Sequence, residues 1–297
     1  MTKNIIGVSV LMCCYNSQLH IRAAINSIIN QTYKNFELII VNDGSTDNTE
    51  REIERFNDPR ISYIALPRNK GVSYARNVGL AMAKSDLVAI MDSDDIAHPR
   101  RLEKQILIMH KNKDLTILGT DVIKSVGNKK ILMKYPNNDG LIKARLLALN
   151  GSALINPSTI MRMHHLEDNG ILYPGRKTDE DHWLWFECTK KNLKFGSTEE
   201  PLLIYRRHDF NTTSENSNFY QKHIKEKTSL RKSILLEYFK NLDTNEANNV
   251  AQALNGQIPV SMSKRTITKV SEYNESHHGE SIIAKKAIAT SFLKFAR

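Results

Sequence analysis

The first 95 residues of this chain alternate between short apolar runs and longer segments with helical spacing. Apolar runs of about four to eight residues are typical of buried strands, whereas apolar residues that recur three and four positions apart are typical of a helix face. Strand–helix alternation predicts an α/β fold with a mostly parallel, doubly wound sheet. We expect strands at residues 5–12, 36–41, 61–66 and 87–91, and helices at residues 17–31, directly after Asp47, and at residues 72–83.

Polar side chains follow three of these four predicted strands. Tyr15 and Asn16 come after the first strand, Asp43 after the second, and residues 92–95 after the fourth. In open α/β sheets, ligands bind outside the carboxyl ends of the strands. The sequence therefore predicts a binding site at this edge of the sheet.

The fourth strand ends in three acidic residues, Asp92, Asp94 and Asp95. Carboxylates held this close repel one another, so a cation is needed to offset their charge. Oxygen ligands suit Mg²⁺ or Mn²⁺, and Mg²⁺ usually shares its coordination shell with substrate phosphates. We therefore expect a metal–diphosphate site. A solvated acidic turn that caps the next helix is the alternative, because Asp is a favoured cap residue.

The sequence contains no glycine-rich phosphate loop, neither G-x-G-x-x-G nor G-x-x-x-x-G-K-[ST]. This argues against dinucleotide-dependent oxidoreductases and P-loop NTPases, because both hold phosphate through such a loop. Phosphate would instead be bound by a metal or by basic side chains, and Lys70, Arg76 and Arg206 are the candidates.

The formal net charge is +10, and residues 220–297 hold 13 Lys or Arg against 7 Asp or Glu. A basic surface favours anionic partners. We expect no nucleic acid partner, because the basic residues are not interleaved with stacking aromatics and no nucleic-acid-binding motif is present. The basic amphipathic segment 281–297 could lie on a membrane surface, or pack against the same chain or a second copy in a homo-oligomer.

Targeting features are absent from the sequence. The sequence has no run of about 18 apolar residues, the length that a membrane-spanning helix needs, and its N-terminus lacks a signal-peptide pattern. The three cysteines form neither a disulfide framework nor a zinc-site pattern. These observations favour a cytoplasmic protein, peripheral on the inner face of the cell membrane if the basic C-terminal segment binds lipid.

Five sequence blocks resemble the family 2 glycosyltransferases of the GT-A fold. They follow the family's order: VSVLMCCYN (8–16), QTYKNFELIIVNDGSTD (31–47), NKGVSYARN (69–77), DSDD (92–95) and EDHWLW (180–185). The resemblance implies inverting transfer of a sugar from a nucleotide-sugar donor.

The resemblance also implies a domain organisation. A GT-A catalytic domain would span residues 1–218, with the donor-binding half at about residues 1–97 and the acceptor half at about residues 98–218. A basic helical extension would follow at residues 219–297.

By this resemblance, Asp92 and Asp94 match the D-x-D motif, so Asp94 would bind metal and Asp92 ribose or metal. Asp95 would bind metal or cap the next helix. His208 is a candidate third metal ligand, although a lone histidine is more often only hydrogen-bonded. The nucleotide sugar would contact Tyr15, Asn16, Asp43, Lys70, Arg76, Asp92, Ser93 and Arg206.

Asp43 would face the nucleotide base. An ionised carboxylate only accepts hydrogen bonds, so it can accept the N3–H of uracil but would repel N3 of cytosine. This favours a UDP-sugar as the donor.

Inverting transfer needs a general base that deprotonates the acceptor hydroxyl. Asp181 is the candidate, with Glu180 beside it in the first turn of a predicted helix. The alternative is that these acids only complement the helix dipole.

The basic cluster at residues 206–208 is not followed by the Trp that processive family members carry. We therefore expect a hexosyl- or N-acetylhexosaminyltransferase that uses Mn²⁺ or Mg²⁺ and adds a single sugar to a glycan or glycolipid acceptor. Surface polysaccharide or lipopolysaccharide synthesis is the expected setting. A non-catalytic nucleotide-sugar-binding or partner subunit with the same fold is the alternative.

Overall fold

A computed structural model of the chain describes residues 7–148, 152–176, 178–208 and 220–254, together with residues 266, 269 and 270. Within these ranges the strands are β1 (Val8–Cys14), β2 (Phe36–Asn42), β3 (Ile61–Ala65), β4 (Leu87–Asp92), β5 (Ile96–Ala97), β6 (Leu115–Val126), β7 (Lys129–Met133), β8 (Ile160–Arg162) and β9 (Lys194–Arg207). The α-helices are α1 (Ile21–Ile29), α2 (Thr49–Glu54), α3 (Val72–Met82), α4 (Arg101–Lys111), α5 (Asp139–Ala148), α6 (Met163–Glu167), α7 (Glu180–Lys190), α8 (Tyr220–Tyr238) and α9 (Thr244–Leu254).

The chain forms two compact units. The first contains Met1–Asn137 and Leu154–His208, and the second contains Asn138–Ala153 and Asp209–Arg297. The predicted division at residue 218 stays a prediction. Among the described helices of both units, none is long and apolar enough to cross a membrane.

The first unit is built on one sheet with the order β3-β2-β1-β4-β8-β6-β9-β5, and β7 pairs with β6. Strands β1 to β4 pair in parallel, as the alternating sequence pattern predicts. Beyond β4 the sheet is mixed: β8 runs antiparallel to both β4 and β6, whereas β6 and β9 are parallel. The α/β class is confirmed.

The centre of the sheet is buried on both faces. Every residue of β2 is buried, and β1 is buried except at Cys13. Strands covered on both sides consist of nearly continuous apolar residues, which explains why their sequences do not alternate. Helix α1 packs against this core through Ile21, Ala24, Ile25 and Ile28, which are spaced three and four residues apart.

One predicted element differs from the structure. The apolar run at residues 153–155 predicts a short strand. In the structure these residues form a loop that leads into a 3₁₀ turn at Asn156–Ser158, and the strand follows at β8. Pro157 explains the shift, because proline has no N–H to donate to a sheet and its fixed φ suits the start of a helical turn.

The second unit contains α8 and α9 as its described C-terminal helices. The sequence repeats apolar residues at helical spacing at Leu230, Ile234 and Leu235, and all three are buried on α8. Helix α9 buries four residues of its own at helical spacing: Ala247, Val250, Ala251 and Leu254. The basic segment 281–297 lies outside the described residues.

The loop after β2 depends on a glycine. Gly44 has a φ of +67°, and a Cβ there would lie 2.5 Å from the carbonyl carbon of Arg68 and 2.7 Å from the nitrogen of Asn69. Gly170 has a similar φ of +63°, but a Cβ there would meet nothing within 4 Å. Both glycines therefore have the same unusual backbone conformation, but only Gly44 also lacks space for a side chain.

We expect Gly44→Ala to destabilise the protein more than Gly170→Ala. Both changes place an L residue in the left-handed region at a cost of about 1–2 kcal/mol. Only Gly44→Ala also forces the backbone of Arg68 and Asn69 to move, which should add about 1–3 kcal/mol. Urea unfolding of both variants measures the difference, and equal losses would contradict the expected clash.

Candidate active site

The carboxyl ends of three neighbouring strands meet at one edge of the sheet. Cys14 of β1 lies opposite Asn42 of β2, and Cys13 lies opposite Asp92 of β4. The polar residues that follow these strands are therefore brought together, as the sequence predicts.

The segment after β1 is joined to the segment after β2. Asn16 has a φ of +50°, a conformation that Asn tolerates better than most residues. Its Oδ1 accepts from the N–H of Thr46 at 2.8 Å, and its own N–H donates to Ser45 Oγ at 3.0 Å. Tyr15 precedes it and is 47% exposed, so its ring is accessible to a ligand.

Asp43 is buried and organises the segment before α3. Its Oδ1 accepts from the N–H of Lys70 at 2.7 Å, and its Oδ2 accepts from the N–H of Gly71 at 2.8 Å. Each carboxylate oxygen retains a second lone pair. The Lys70 side chain is exposed, with Nζ 6.0 Å from the centre of the Tyr74 ring.

The three acids after β4 converge. One carboxylate oxygen from each of Asp92, Asp94 and Asp95 lies within 4.8 Å of the others. Burial raises the pKa of Asp92 to about 6, opposed by the charge of Arg76 and reinforced by that of Asp94. Burial, followed by repulsion from Asp94 and Asp92, also raises the pKa of Asp95. Ser93 lies between them, with Oγ 2.7 Å from Ser17 Oγ.

Asp95 connects β4 to the end of β9 and does not cap a helix. Its Oδ1 accepts from the backbone N–H of Arg206 at 2.8 Å, and α4 begins only at Arg101. Its Oδ2 is buried and has no hydrogen-bond partner among the described residues.

The end of β9 completes the cluster. Arg206 Nε donates to the backbone oxygen of Asp94, whereas its Nη2 is buried and has no partner in the described parts of the chain. His208 Nε2 lies 3.0 Å from Asp94 Oδ2. The ring of His20, which sequence reasoning missed, lies 4.6 Å from that of His208. Burial lowers the pKa of His20, and the charge of Arg206 lowers it further.

These donors fit a divalent cation. Three carboxylates and an imidazole offer the oxygen and nitrogen ligands that Mn²⁺ accepts, and the carboxylates alone suit Mg²⁺. A cation would also satisfy the partnerless Oδ2 of Asp95 and offset the repulsion among the acids. Across the described residues, no other group of three or more acidic, His or Cys side chains converges in this way.

Arg76 joins the acid cluster to α7. Its Nη2 lies 3.2 Å from Asp92 Oδ1, and its Nη1 donates to Glu180 Oε1. Burial raises the pKa of Glu180, and the charge of Arg76 opposes that shift. Arg76 and Glu180, both proposed as site residues from sequence, are therefore buried partners of each other.

Tyr173, which sequence reasoning missed, and Asn156 complete this network. The centre of the Tyr173 ring lies 5.1 Å from the guanidinium carbon of Arg76. With its amide oxygen turned towards Arg76, Asn156 accepts from Nη1 and Nη2 at 3.0 Å and donates to Tyr173 at 3.2 Å. Asn77 holds the Tyr173 backbone through two hydrogen bonds. Because Asn77 lies in the third sequence block, it was a signal in the sequence that pointed to this part of the site.

Asp181 follows Glu180 in the first turn of α7 and is partly exposed, with a quarter of its side chain accessible. Its charge is one of the influences that raise the pKa of Asp92, after burial and the charge of Asp94. The carboxylate therefore belongs to the same electrostatic site. Trp183 and Trp185 are buried, so both pack in the core.

Known proteins with similar sequences identify the family of this chain. The family model for glycosyl transferase family 2 matches residues 9–170, more than half of the chain. The chain belongs to this family. An uncharacterized glycosyltransferase of Haemophilus influenzae is 30% identical over 301 residues, covering 91% of each chain.

Two further relatives carry more specific names. The Escherichia coli UDP-Glc:alpha-D-GlcNAc-diphosphoundecaprenol beta-1,3-glucosyltransferase WfgD is 32% identical over 62% of this chain and 70% of its own. The crystal structure of S. aureus TarS 1-349 in complex with UDP-GlcNAc has a TM-score of 0.65 and 20% identity, covering 98% of this chain and 81% of that one. This glycosyltransferase therefore has the GT-A fold that the sequence blocks predict.

We expect Arg76→Met to destabilise the enzyme by about 3–5 kcal/mol, because it leaves Glu180 buried without its cation. The double variant Arg76→Met/Glu180→Gln should recover part of that loss, since the amide carries no charge. A double-mutant cycle from urea unfolding measures the coupling.

The exposed pair of Arg55 and Glu52, 2.9 Å apart, provides a matched control. Arg55→Met should change stability by no more than about 1 kcal/mol. Additive losses in the Arg76 and Glu180 cycle would contradict a coupled buried pair.

Proposed function

We propose that this glycosyltransferase moves a single sugar from a UDP-sugar to a hydroxyl of a lipid-linked glycan, with inversion and with Mn²⁺ or Mg²⁺ bound. The observation that carries the proposal is the bridge made by Arg76, which joins the acid cluster to the helix turn that holds Asp181. A donor-binding group and a candidate base thus share one edge of the sheet.

The diphosphate would lie against the acid cluster and Arg206. Asp92, Asp94, Asp95 and His208 are the residues that would hold the metal. A bound divalent cation stabilises the negative charge that develops on the leaving diphosphate. The partnerless Nη2 of Arg206 is placed to donate to a phosphate oxygen, a contact that planar guanidinium groups make well.

The nucleoside would lie between the segments after β1 and β2. Tyr15 supplies an accessible ring, and Asn16, Ser45 and Thr46 hold the two segments together without a ligand. Asp43 would meet the N3–H of uracil through an unused lone pair, because both of its oxygens already accept backbone N–H groups. The names of WfgD and TarS, with UDP-Glc and UDP-GlcNAc, support a uridine donor.

Asp181 would act as the general base. In the first turn of α7, Asp181 is partly exposed, whereas Glu180 is buried and paired with Arg76, so Glu180 would position the turn. Asp181 would take the acceptor proton as the hydroxyl oxygen attacks the anomeric carbon from the face opposite the diphosphate. The bond from that carbon to the diphosphate breaks and UDP leaves, so this single displacement inverts the configuration. The diphosphoundecaprenol acceptor in the name of WfgD supports a lipid-linked acceptor here.

Calorimetry with UDP, CDP and GDP, each with Mn²⁺ and then with EDTA, tests the donor site. We expect UDP to bind with Mn²⁺ and to lose its affinity in EDTA. Asp94→Ala should weaken the Mn²⁺-dependent affinity by about tenfold or more, because it removes a metal ligand.

Asp114→Ala is the matched control, because Asp114 is an exposed acid outside the cluster. It should bind UDP like the unmodified enzyme. Unchanged affinity in Asp94→Ala would contradict the metal assignment, and failure of every nucleotide to bind would favour a non-catalytic partner subunit.

Asp181→Asn should keep UDP affinity but lower transfer by about 10²–10⁴-fold, the usual contribution of a general base. Transfer is measured as labelled sugar passing from UDP-glucose or UDP-N-acetylglucosamine into a bacterial lipid extract. Glu187→Gln, on the same helix and partly exposed, is the control and should remain active. Full activity of Asp181→Asn would exclude Asp181 as the base.

A further inference from the structure

The hairpin at residues 122–134, formed by the end of β6 and by β7, exposes apolar side chains. Val126, Ile131 and Leu132 are 42%, 48% and 51% exposed. Every residue from 126 to 132 is exposed, so neither face of this part of the hairpin is covered. Side chains alternate along a strand, so Val126 and Ile131 lie on one face of the hairpin and Leu132 lies on the other. Single exposed apolar residues are common, but apolar side chains on both faces of one hairpin indicate a contact surface that is entered end-on.

The same hairpin is strongly basic. Residues 122–134 contain four lysines and no acidic residue. Lysines next to exposed aliphatic side chains are the combination that binds anionic lipid surfaces, because the cations attract headgroup phosphates and the apolar side chains enter the interface.

The hairpin stands at the edge of the sheet that carries the active site. Strand β6 runs parallel to β9, and its last residues, Ser125 and Val126, pair with Arg206 and Arg207. Arg206 contacts Asp94 and Asp95 directly. The turn after Val126 therefore extends beyond the strand ends that hold the acid cluster.

We propose that the hairpin docks on an anionic membrane surface, with Val126, Ile131 and Leu132 in the headgroup region and the lysines on lipid phosphates. The proposal rests on the proposed function, since a lipid-linked acceptor presents its glycan at such a surface. A second copy of the chain is a poorer occupant, because its hairpin would bring the same four lysines and no acidic residue to offset their charge.

Sedimentation with vesicles tests the docking. The 297-residue chain is mixed with vesicles of phosphatidylglycerol and phosphatidylcholine in equal parts, and with pure phosphatidylcholine. The hairpin variant carries Lys129→Gln, Lys130→Gln, Ile131→Ser and Leu132→Ser. We expect its partition onto the anionic vesicles to fall about tenfold or more, and binding by the unmodified enzyme to weaken at high salt.

The control variant removes two apolar side chains and two lysines from the other end of the strands, away from the acid cluster. It carries Met82→Ser, Leu107→Ser, Lys111→Gln and Lys113→Gln. Met82 and Leu107 are also exposed, and they lie near the ends of α3 and α4 that lead into the starts of β4 and β6. This variant should sediment with anionic vesicles like the unmodified enzyme.

Calorimetry with UDP and Mn²⁺ on all three proteins separates the two proposals. Equal UDP affinity with hairpin-dependent vesicle binding supports docking. If vesicle binding depends on the hairpin but none of the three proteins binds UDP, the result supports docking and contradicts the proposed UDP-sugar donor. Docking is overturned if the hairpin variant binds vesicles as well as the control, if pure phosphatidylcholine is bound equally, or if no vesicle is bound.

Discussion

The repulsion among the three carboxylates that follow β4 is the constraint on which the rest of the site depends. Cations surround the cluster without pairing with each acid. Arg76 contacts the carboxylate of Asp92, whereas Arg206 meets Asp95 through its backbone N–H and Asp94 through the backbone oxygen of that residue. Arg101 is fully buried and donates to the backbone oxygens of Ile90 and Thr159. Burial lowers the pKa of Arg101 to about 10, against the attraction of Asp95. The protein thus holds the acids together and leaves charge for a divalent cation to offset.

The first half of the sheet could be predicted from the sequence because its strands are buried on both faces and its helices have one apolar side. Those periodicities are local properties of the chain. The mixed half could not be predicted in the same way. Strand β8 pairs with β4 through three residues, and Pro157 displaced the expected strand at residues 153–155. Antiparallel pairing of such short segments depends on contacts distant in sequence.

The site also contains some features that local sequence specifies and others that depend on contacts distant in sequence. Asp92, Asp94 and Asp95 are neighbours in sequence, so their convergence follows directly from the end of β4. The partnership of Arg76 with Glu180 joins residues that are 104 positions apart, and no local pattern specifies which acid a guanidinium will meet. Tyr173 and His20 were missed for this reason, since each acts through a contact made only in the folded chain. The contact of Asn156 with Arg76 could not be predicted for the same reason.

The guanidinium shared between Asp92 and Glu180 also limits how relatives of this enzyme can diverge. A lineage that replaces Arg76 leaves both the buried Glu180 and the partly buried Asp92 without their cation, so an accepted change at one of the three positions should be accompanied by changes at the others. Substitution patterns at residues 76, 92 and 180 should therefore be correlated across evolution. Exposed residues outside this network, such as Lys70 and Tyr15, are free of that restriction and can drift with the choice of donor.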